Sequence, residues 1–195
     1  MDFQAQKSYK KPFWRFSFNN GRNYTLQKNG NYNAKIGIIG CGDIGSRIIE
    51  FLKPFKLNIL VYDPFIQDER LLQLGVKRAS LEDVFSSCNV ISNHLPDTEK
   101  TKGMINKNLL KLIKDNATII NTGRGAQIIE KDLSRIMKEK PNACALLDVT
   151  KKEPLWPWSS LLRRRNIFIT PHIAGSLSQE NERMIDYMVK AYYNT

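Results

Sequence analysis

The chain has 195 residues, 42% of them hydrophobic and 25% charged, and a formal net charge of +11. This gives room for one well-buried domain plus an appendage, in an ordinary soluble composition. No apolar run approaches the roughly 18 residues of a membrane span, and the first 18 residues lack the apolar core of a secretory signal. The positive charge raises nucleic acid as a partner. Yet Lys and Arg are scattered, with short concentrations at Lys7 to Lys11 and Arg163-Arg164-Arg165, and no nucleic-acid motif accompanies them, so nucleic acid is disfavoured.

Residues 1–33 are polar, dotted with aromatics and broken by Asn19-Asn20-Gly21 and Asn29-Gly30-Asn31, which reads as an arm or connector. The domain proper opens with an apolar strand, Lys35 to Ile39, running into Gly40-Cys41-Gly42-Asp43-Ile44-Gly45. In this G-x-G-x-x-G pattern Gly40 makes the tight turn, Gly42 leaves room for a pyrophosphate, and Gly45 lets helix pack on strand. The helix that follows, with Ile44, Ile48, Ile49 and Leu52 on one face, aims its unpaired N–H groups at that room and ends at Lys53-Pro54. A second apolar run, Asn58 to Tyr62, ends in Asp63, 18 residues past Gly45. That offset suits the carboxylate that takes the ribose hydroxyls of NAD, so the register of strand, glycines, helix, strand and acid predicts an NAD site.

Gln67 to Leu74 reads as a helix stopped by Gly75, Val76-Lys77 as a brief strand, and Ser80 as the cap of a further turn of helix. Asn89 to His94 is a strand that leaves into Leu95-Pro96. Lys107 to Lys114 is helical, and Ala117 to Asn121 is a strand running into Thr122-Gly123-Arg124-Gly125. Glu130 to Lys138 is the next helix, Ala143 to Leu147 a strand ending at Asp148, and Ile167 to Ile169 the last strand, before Thr170-Pro171-His172. A helix from Ser176 to Tyr193 closes the chain. Strands ending in polar residues and alternating with helices predict an α/β, Rossmann-type doubly wound parallel sheet with helices on both faces, whose ligands sit at the carboxyl ends of the strands. Cys41, Cys88 and Cys144 are widely spaced, show no metal or redox pattern, and read as small core residues in a reducing cytoplasm.

Arg124, Glu153 and His172 stand at those strand ends. A guanidinium binds a carboxylate bidentately, an imidazole passes protons near neutral pH, and a carboxylate can orient and charge that imidazole. With these residues the chain, from about 34 to 190, resembles the cofactor domain of the NAD-dependent D-2-hydroxyacid dehydrogenases. The matching stretches, in family order, are Gly37 to Gly45; His94-Leu95-Pro96 with Thr101 and Gly103; Asn121 to Gly125; Leu147-Asp148-Val149 with Glu153-Pro154-Leu155; and Thr170 to Gly175.

The resemblance implies hydride transfer between NAD(H) and a D-2-hydroxy acid/2-oxo acid pair. Arg124 would bind the substrate, His172 would be the acid/base, Glu153 its partner, and Asp148 a contact for the nicotinamide carboxamide. Gly40, Gly42, Asp43, Ile44, Gly45, Asp63, His94, Pro96, Thr101, Thr122, Gly123, Arg124, Asp148, His172 and Gly175 would line the cofactor, with no metal. It also implies a homodimer, with Trp14 and Arg15 in the dimer arm, and a closing helix, residues 176–195, that returns to a substrate domain. Family members begin with a substrate domain on the order of 100 residues, whereas here only residues 1–33 precede the cofactor domain of residues 34–175. The expectation is therefore a chain that holds NAD but turns over poorly. The competing expectation is a non-enzymatic NAD-binding module, similar to the dehydrogenase-like transcriptional corepressors.

Overall fold

The computed structural model describes residue 30 and residues 32–175 and 177–193, so nearly all of the arm read from the sequence, Trp14 and Arg15 included, lies outside the described residues. The elements in chain order are β1 (Lys35–Ile39), α1 (Asp43–Leu52), β2 (Asn58–Tyr62), α2 (Asp68–Leu74), β3 (Lys77–Arg78), α3 (Leu81–Ser87), β4 (Val90–Asn93), α4 (Lys107–Leu112), β5 (Thr118–Asn121), α5 (Glu130–Glu139), β6 (Cys144–Leu147), β7 (Ile167–Ile169) and α6 (Gln179–Tyr193). The strands form one sheet in the order β3-β2-β1-β4-β5-β6-β7, parallel throughout. The order reverses at β1, where β2 and β4 flank it. A doubly wound sheet opens a ligand crevice at that switch point.

Alternation along β1 divides the core between two faces. Ile36 and Ile38 pack with Ile49 of α1 and Leu71 and Leu74 of α2, while Ile39 joins Phe85, Ile91, Leu110 and Leu133 on the other side. With both faces covered, β1 is buried from Ile36 onward, as a central parallel strand requires. Each fully buried Ile or Leu in these layers is worth about 1.5–3 kcal/mol relative to exposure. Gly37 brings α3 close, since a Cβ there would stand 2.4 Å from the Val84 side chain.

The ends of the elements follow local chemistry. Gly75 closes α2 in the left-handed conformation at φ 71. Ser80 and Asp83 form a reciprocal capping box at the start of α3, and the Asn106 side chain caps α4. Several element ends lie one or two residues from the sequence reading, and four differences bear on the fold. The chain passes from α1 into a 3-10 turn at Lys53–Phe55, because Pro54 falls in the first turn, where its missing N–H would have no partner within that turn. The third strand is Lys77–Arg78, one residue later than read. Ile44 leaves the apolar face of α1 and stands 66% exposed beside the glycine loop. The last helix starts at Gln179, with Ser176 outside the described residues, and none of its residues is buried. Among the described residues no helix is long and apolar enough to cross a membrane.

Candidate active site

The glycine loop is shaped by main chain. Gly40 adopts φ +86, and a Cβ on it would lie 2.6 Å from the His94 carbonyl oxygen. A Cβ on Gly45 would lie 2.2 Å from the Gly40 carbonyl oxygen, whereas a Cβ on Gly42 would meet nothing within 4 Å. So Gly40 and Gly45 are required by the protein's own packing, and Gly42 borders open space. Gly42 is also the N-cap of α1 and supplies no side-chain hydrogen bond to the first turn. The helix therefore presents amide donors and its positive dipole end at that space, an arrangement suited to a pyrophosphate. Asp43 and Ile44 flank it, both exposed.

At the end of β2, Asp63 accepts the Cys41 amide on Oδ2 at 2.7 Å and the Phe65 amide on Oδ1 at 2.8 Å. One carboxylate thus ties the glycine loop to the turn after β2, and its remaining lone pairs could accept ribose hydroxyls. Arg78 braces the same turn through the carbonyls of Asp63 and Ile66, at 2.9 and 2.6 Å, while paired with Asp68 at 2.7 Å. This geometry fits a dinucleotide. A dinucleotide held here would have its phosphates at Gly42 and its ribose at Asp63.

The next wall is the loop after β4. His94 Nε2 lies 2.8 Å from the Ser92 hydroxyl, and burial pushes its pKa below the ordinary value, favouring the neutral ring. Thr101 turns its hydroxyl into its own loop, donating to the Pro96 carbonyl at 2.8 Å and accepting the Thr98 amide at 3.1 Å. Its side chain shapes the wall by bracing Pro96.

Beneath the loops lies a buried amide cluster. Asn93 Nδ2 donates to Asn121 Oδ1 at 2.9 Å and to Gln127 Oε1. Gln127 Nε2 donates to the carbonyls of Leu95 and Pro96, both at 2.9 Å. Asn121 in turn accepts the Gly123 amide at 3.1 Å and donates to the Arg124 carbonyl at 3.2 Å. Three nearly inaccessible side chains thereby lock the His94-Leu95-Pro96 loop to the Thr122-Gly123-Arg124 loop. Thr122 and Arg124 themselves are exposed, and Arg124 Nη1 donates to the Gly123 carbonyl at 2.9 Å.

The reaction corner is assembled where β5, β6 and β7 end. A Cβ on Gly125 would stand 2.0 Å from the Thr150 carbonyl carbon, so the Arg124 loop lies directly on the segment leading to Glu153. Glu153 accepts the Thr150 amide on Oε1 at 3.0 Å, and its Oε2 lies 2.8 Å from His172 Nδ1. That imidazole contact, with the Thr150 amide, lowers the Glu153 pKa. Both side chains remain open to solvent, at 45% for His172 and 40% for Glu153.

Asp148 anchors this corner. Its Oδ1 accepts the Thr170 hydroxyl and the Ile173 amide, and its Oδ2 accepts the Ala174 amide at 2.8 Å. Burial opposes ionisation of Asp148, but the Thr170 hydroxyl and the Ala174 and Ile173 amides outweigh it and leave the pKa lowered, with His172 adding to that. The His172 amide also bonds to the Asp148 carbonyl at 2.9 Å. This holds the histidine at φ 53, a conformation a non-glycine residue adopts at a cost of about 1–3 kcal/mol. Gly175 follows at φ 84 with open space where a Cβ would be.

The bracing by Asn93, Gln127, Thr150 and Thr170 is absent from the sequence reading. An Asn or Gln at a strand end looks the same whether it faces water or clamps two loops. The one available signal is that β4 and β5 both end in Asn, at positions the parallel register sets side by side.

The model of the NAD-binding domain of D-isomer-specific 2-hydroxyacid dehydrogenases matches residues 3–174. D-3-phosphoglycerate dehydrogenase of Archaeoglobus fulgidus is 39% identical over 140 residues, covering 72% of this chain and 27% of that protein. Glyoxylate reductase of Aeropyrum pernix is 37% identical over 149 residues, covering 76% of this chain and 44% of that protein. Among solved structures, phosphoglycerate oxidoreductase of Vibrio cholerae superposes with a TM-score of 0.74 at 27% identity, over 86% of this chain and 55% of that one. The chain thus spans less than half the length of these two curated relatives. With the parallel sheet, the glycine loop and this match over most of its length, the chain belongs to the family of NAD-binding domains of D-isomer-specific 2-hydroxyacid dehydrogenases.

Proposed function

We propose that this domain serves a dehydrogenase that interconverts a D-2-hydroxy acid and its 2-oxo acid, with residues 34–175 as the cofactor unit, residues 1–33 as an arm and residues 176–195 as a helix returning to a substrate domain. NAD, when bound, supplies the hydride acceptor or donor. Arg124 holds the substrate carboxylate and the oxygen beside it through its forked donors. His172 passes the proton. With Nδ1–H committed to Glu153, Nε2 is the atom left to protonate the substrate oxygen in reduction and to deprotonate the hydroxyl in oxidation. Glu153 fixes the ring's orientation, and Asp148 fixes the loop and would be a contact for the nicotinamide carboxamide of a bound cofactor. The loops carrying Gly40 to Gly45, Asp63, His94, Pro96 and Thr122 bind the cofactor.

The observation that carries this reading is the 2.8 Å contact between His172 and Glu153. The pair stands beside the Arg124 loop at the carboxyl end of the sheet. By resemblance and cysteine usage the protein works in the cytoplasm as a homodimer, which sedimentation tests.

Calorimetry with NAD and NADP, followed by NADH oxidation with glyoxylate, pyruvate and phosphohydroxypyruvate, tests the proposal. NAD should bind more tightly than NADP, and one of the oxo acids should be reduced. His172→Ala should lower that rate by roughly 10²–10⁴-fold, far more than it weakens NAD, which this residue also borders. Tighter NADP binding would refute the cofactor assignment. Turnover unaffected by His172→Ala would refute the acid/base assignment, and NAD binding without any turnover would leave the chain as an NAD-binding module.

A further inference from the structure

A cavity of about 820 Å³ lies between the outer flank of α5 and the segment from Lys152 to Arg164. None of the residues assigned above to cofactor or substrate lines it. Its chemistry has two parts. Lys131, Arg135 and Lys138 follow one another down one side of α5, and Lys152 and Arg164 face them from the other wall; among the described residues Glu130 is the one carboxylate in the lining, and Glu139 pairs with Arg135 at 4.0 Å from beside it. Glu130 is already engaged, accepting the Lys151 amide at 2.6 Å. Arg164 is held in place, its Nε donating to the Ser134 hydroxyl at 3.0 Å, and that hydroxyl donates to the Ser160 carbonyl at 3.0 Å. The guanidinium's terminal donors are thereby oriented before any ligand arrives. The second part is aromatic. Trp156 and Trp158 sit 5.1 Å apart by ring centroid, exposed in the cavity wall, with the Lys152 ammonium 4.2 Å above the Trp156 ring.

We propose that this cavity is a second ligand site, for a nucleoside polyphosphate whose base lies on the tryptophan pair and whose phosphates meet Arg164 and the α5 cations. Cations concentrated on one cavity recognise a polyanion, and Arg and Lys bind phosphate oxygens through charge-assisted hydrogen bonds. Lys152 covers one face of Trp156, so Trp158, the more exposed of the pair, offers the open indole face on which a flat ring stacks. The volume lies in the range of small-molecule sites, about 300–1,000 Å³. Charge argues against a second copy's amino-terminal segment as the occupant, because Lys7, Lys10, Lys11, Arg15 and Arg22 give that segment the same sign as the cavity.

The test uses the full chain saturated with NAD, so that the glycine-loop site is filled, and metal-free ATP as the probe. Calorimetry and tryptophan fluorescence should report one further equivalent of ATP bound, with quenching from Trp156 and Trp158. Arg164→Gln should weaken ATP at least fivefold. Because Arg164 also braces Ser134, the double variant Lys131→Gln/Lys138→Gln, on the exposed side of α5, is measured beside it and should weaken ATP to a similar degree with NAD affinity unchanged. Tripolyphosphate and adenosine should each bind at least tenfold more weakly than ATP. The proposal is overturned if ATP binding vanishes once NAD is saturating, if the double variant binds ATP as well as wild type does, or if tripolyphosphate binds as tightly as ATP. Displacement of ATP by oligo-glutamate or oligo-dT at concentrations below that of ATP itself would assign the face to a polymer and also overturn it.

Discussion

The glycine loop and the His172 corner lie at the same edge of one sheet and are built on opposite principles. The loop is backbone against backbone: a Cβ on Gly45 would collide with a main-chain carbonyl at 2.2 Å, and the groups it offers are amides of α1. The corner is side chain against side chain, solvent-open at His172 and Glu153 and held from below by the buried Asp148. The first can be damaged by adding one carbon, the second by removing one oxygen. Stability and chemistry should therefore separate differently in the two regions.

The largest effect is expected at Gly45. Gly45→Ala has no side chain to displace and should destabilise the fold by about 3 kcal/mol or more, read as a shift in the urea midpoint. Gly42→Ala, with φ −71 and open space around its Cβ, should leave that midpoint nearly unchanged and weaken NAD by roughly tenfold or more. Equal midpoints for the two variants would erase the distinction drawn between them.

In the corner, Asp148→Ala should cost about 2–3 kcal/mol, because the Ile173 and Ala174 amides and the Thr170 hydroxyl lose their acceptor. The same residue sets a pH dependence. Asp148 and Glu153 both have lowered pKa values in the folded chain, so their stabilisation is fully present above their ordinary values of 3.8 and 4.5. It is lost as pH falls below those values and through the folded ones. Urea midpoints between pH 5 and 3 should therefore fall less steeply for Asp148→Asn than for wild type.

Asp63→Asn keeps an acceptor for the Cys41 amide, turns an NH2 group toward the Phe65 amide, and drops the charge that repels a 2′-phosphate, so the ratio of NAD to NADP affinity should fall roughly tenfold with a stability loss of about 1 kcal/mol. Paired titrations on the variant and wild type measure that ratio. The smallest effect expected is on a single proton. In His172→Gln the Glu153 carboxyl should titrate higher than in wild type, since the imidazole contact is the leading cause of its lowering. Carboxyl-selective NMR would show it, and an unmoved Glu153 would mean the pair is not formed in solution.

The sheet was legible because its signals are local and repeated. Apolar runs ended at polar residues, glycines fell at fixed offsets from β1, and Gly75 and Ser80 marked the helix ends they occupy. Residue chemistry made a pairing of Glu153 with His172 conceivable and the resemblance named it, but spacing alone could not place the two side chains together, since they stand 19 positions apart with β7 between them. What stayed hidden depends on which way a polar side chain turns. Asp148 grips the loop that carries His172, Thr101 faces inward, and Ile44 leaves its apolar stripe. Periodicity cannot distinguish an exposed Asn from one that donates to two buried acceptors, as Asn93 does.

The clamp made by Asn93, Asn121 and Gln127 has a further consequence, because none of the three side chains ionises anywhere in the range where proteins stay folded. The spacing they set between the His94 and Arg124 loops is therefore proton-silent. Acid can recharge Glu153 and Asp148 at one end of the crevice without altering the frame at the other. The domain's grip on a dinucleotide should accordingly run flat across neutral pH, even where the chemistry beside it rises or falls.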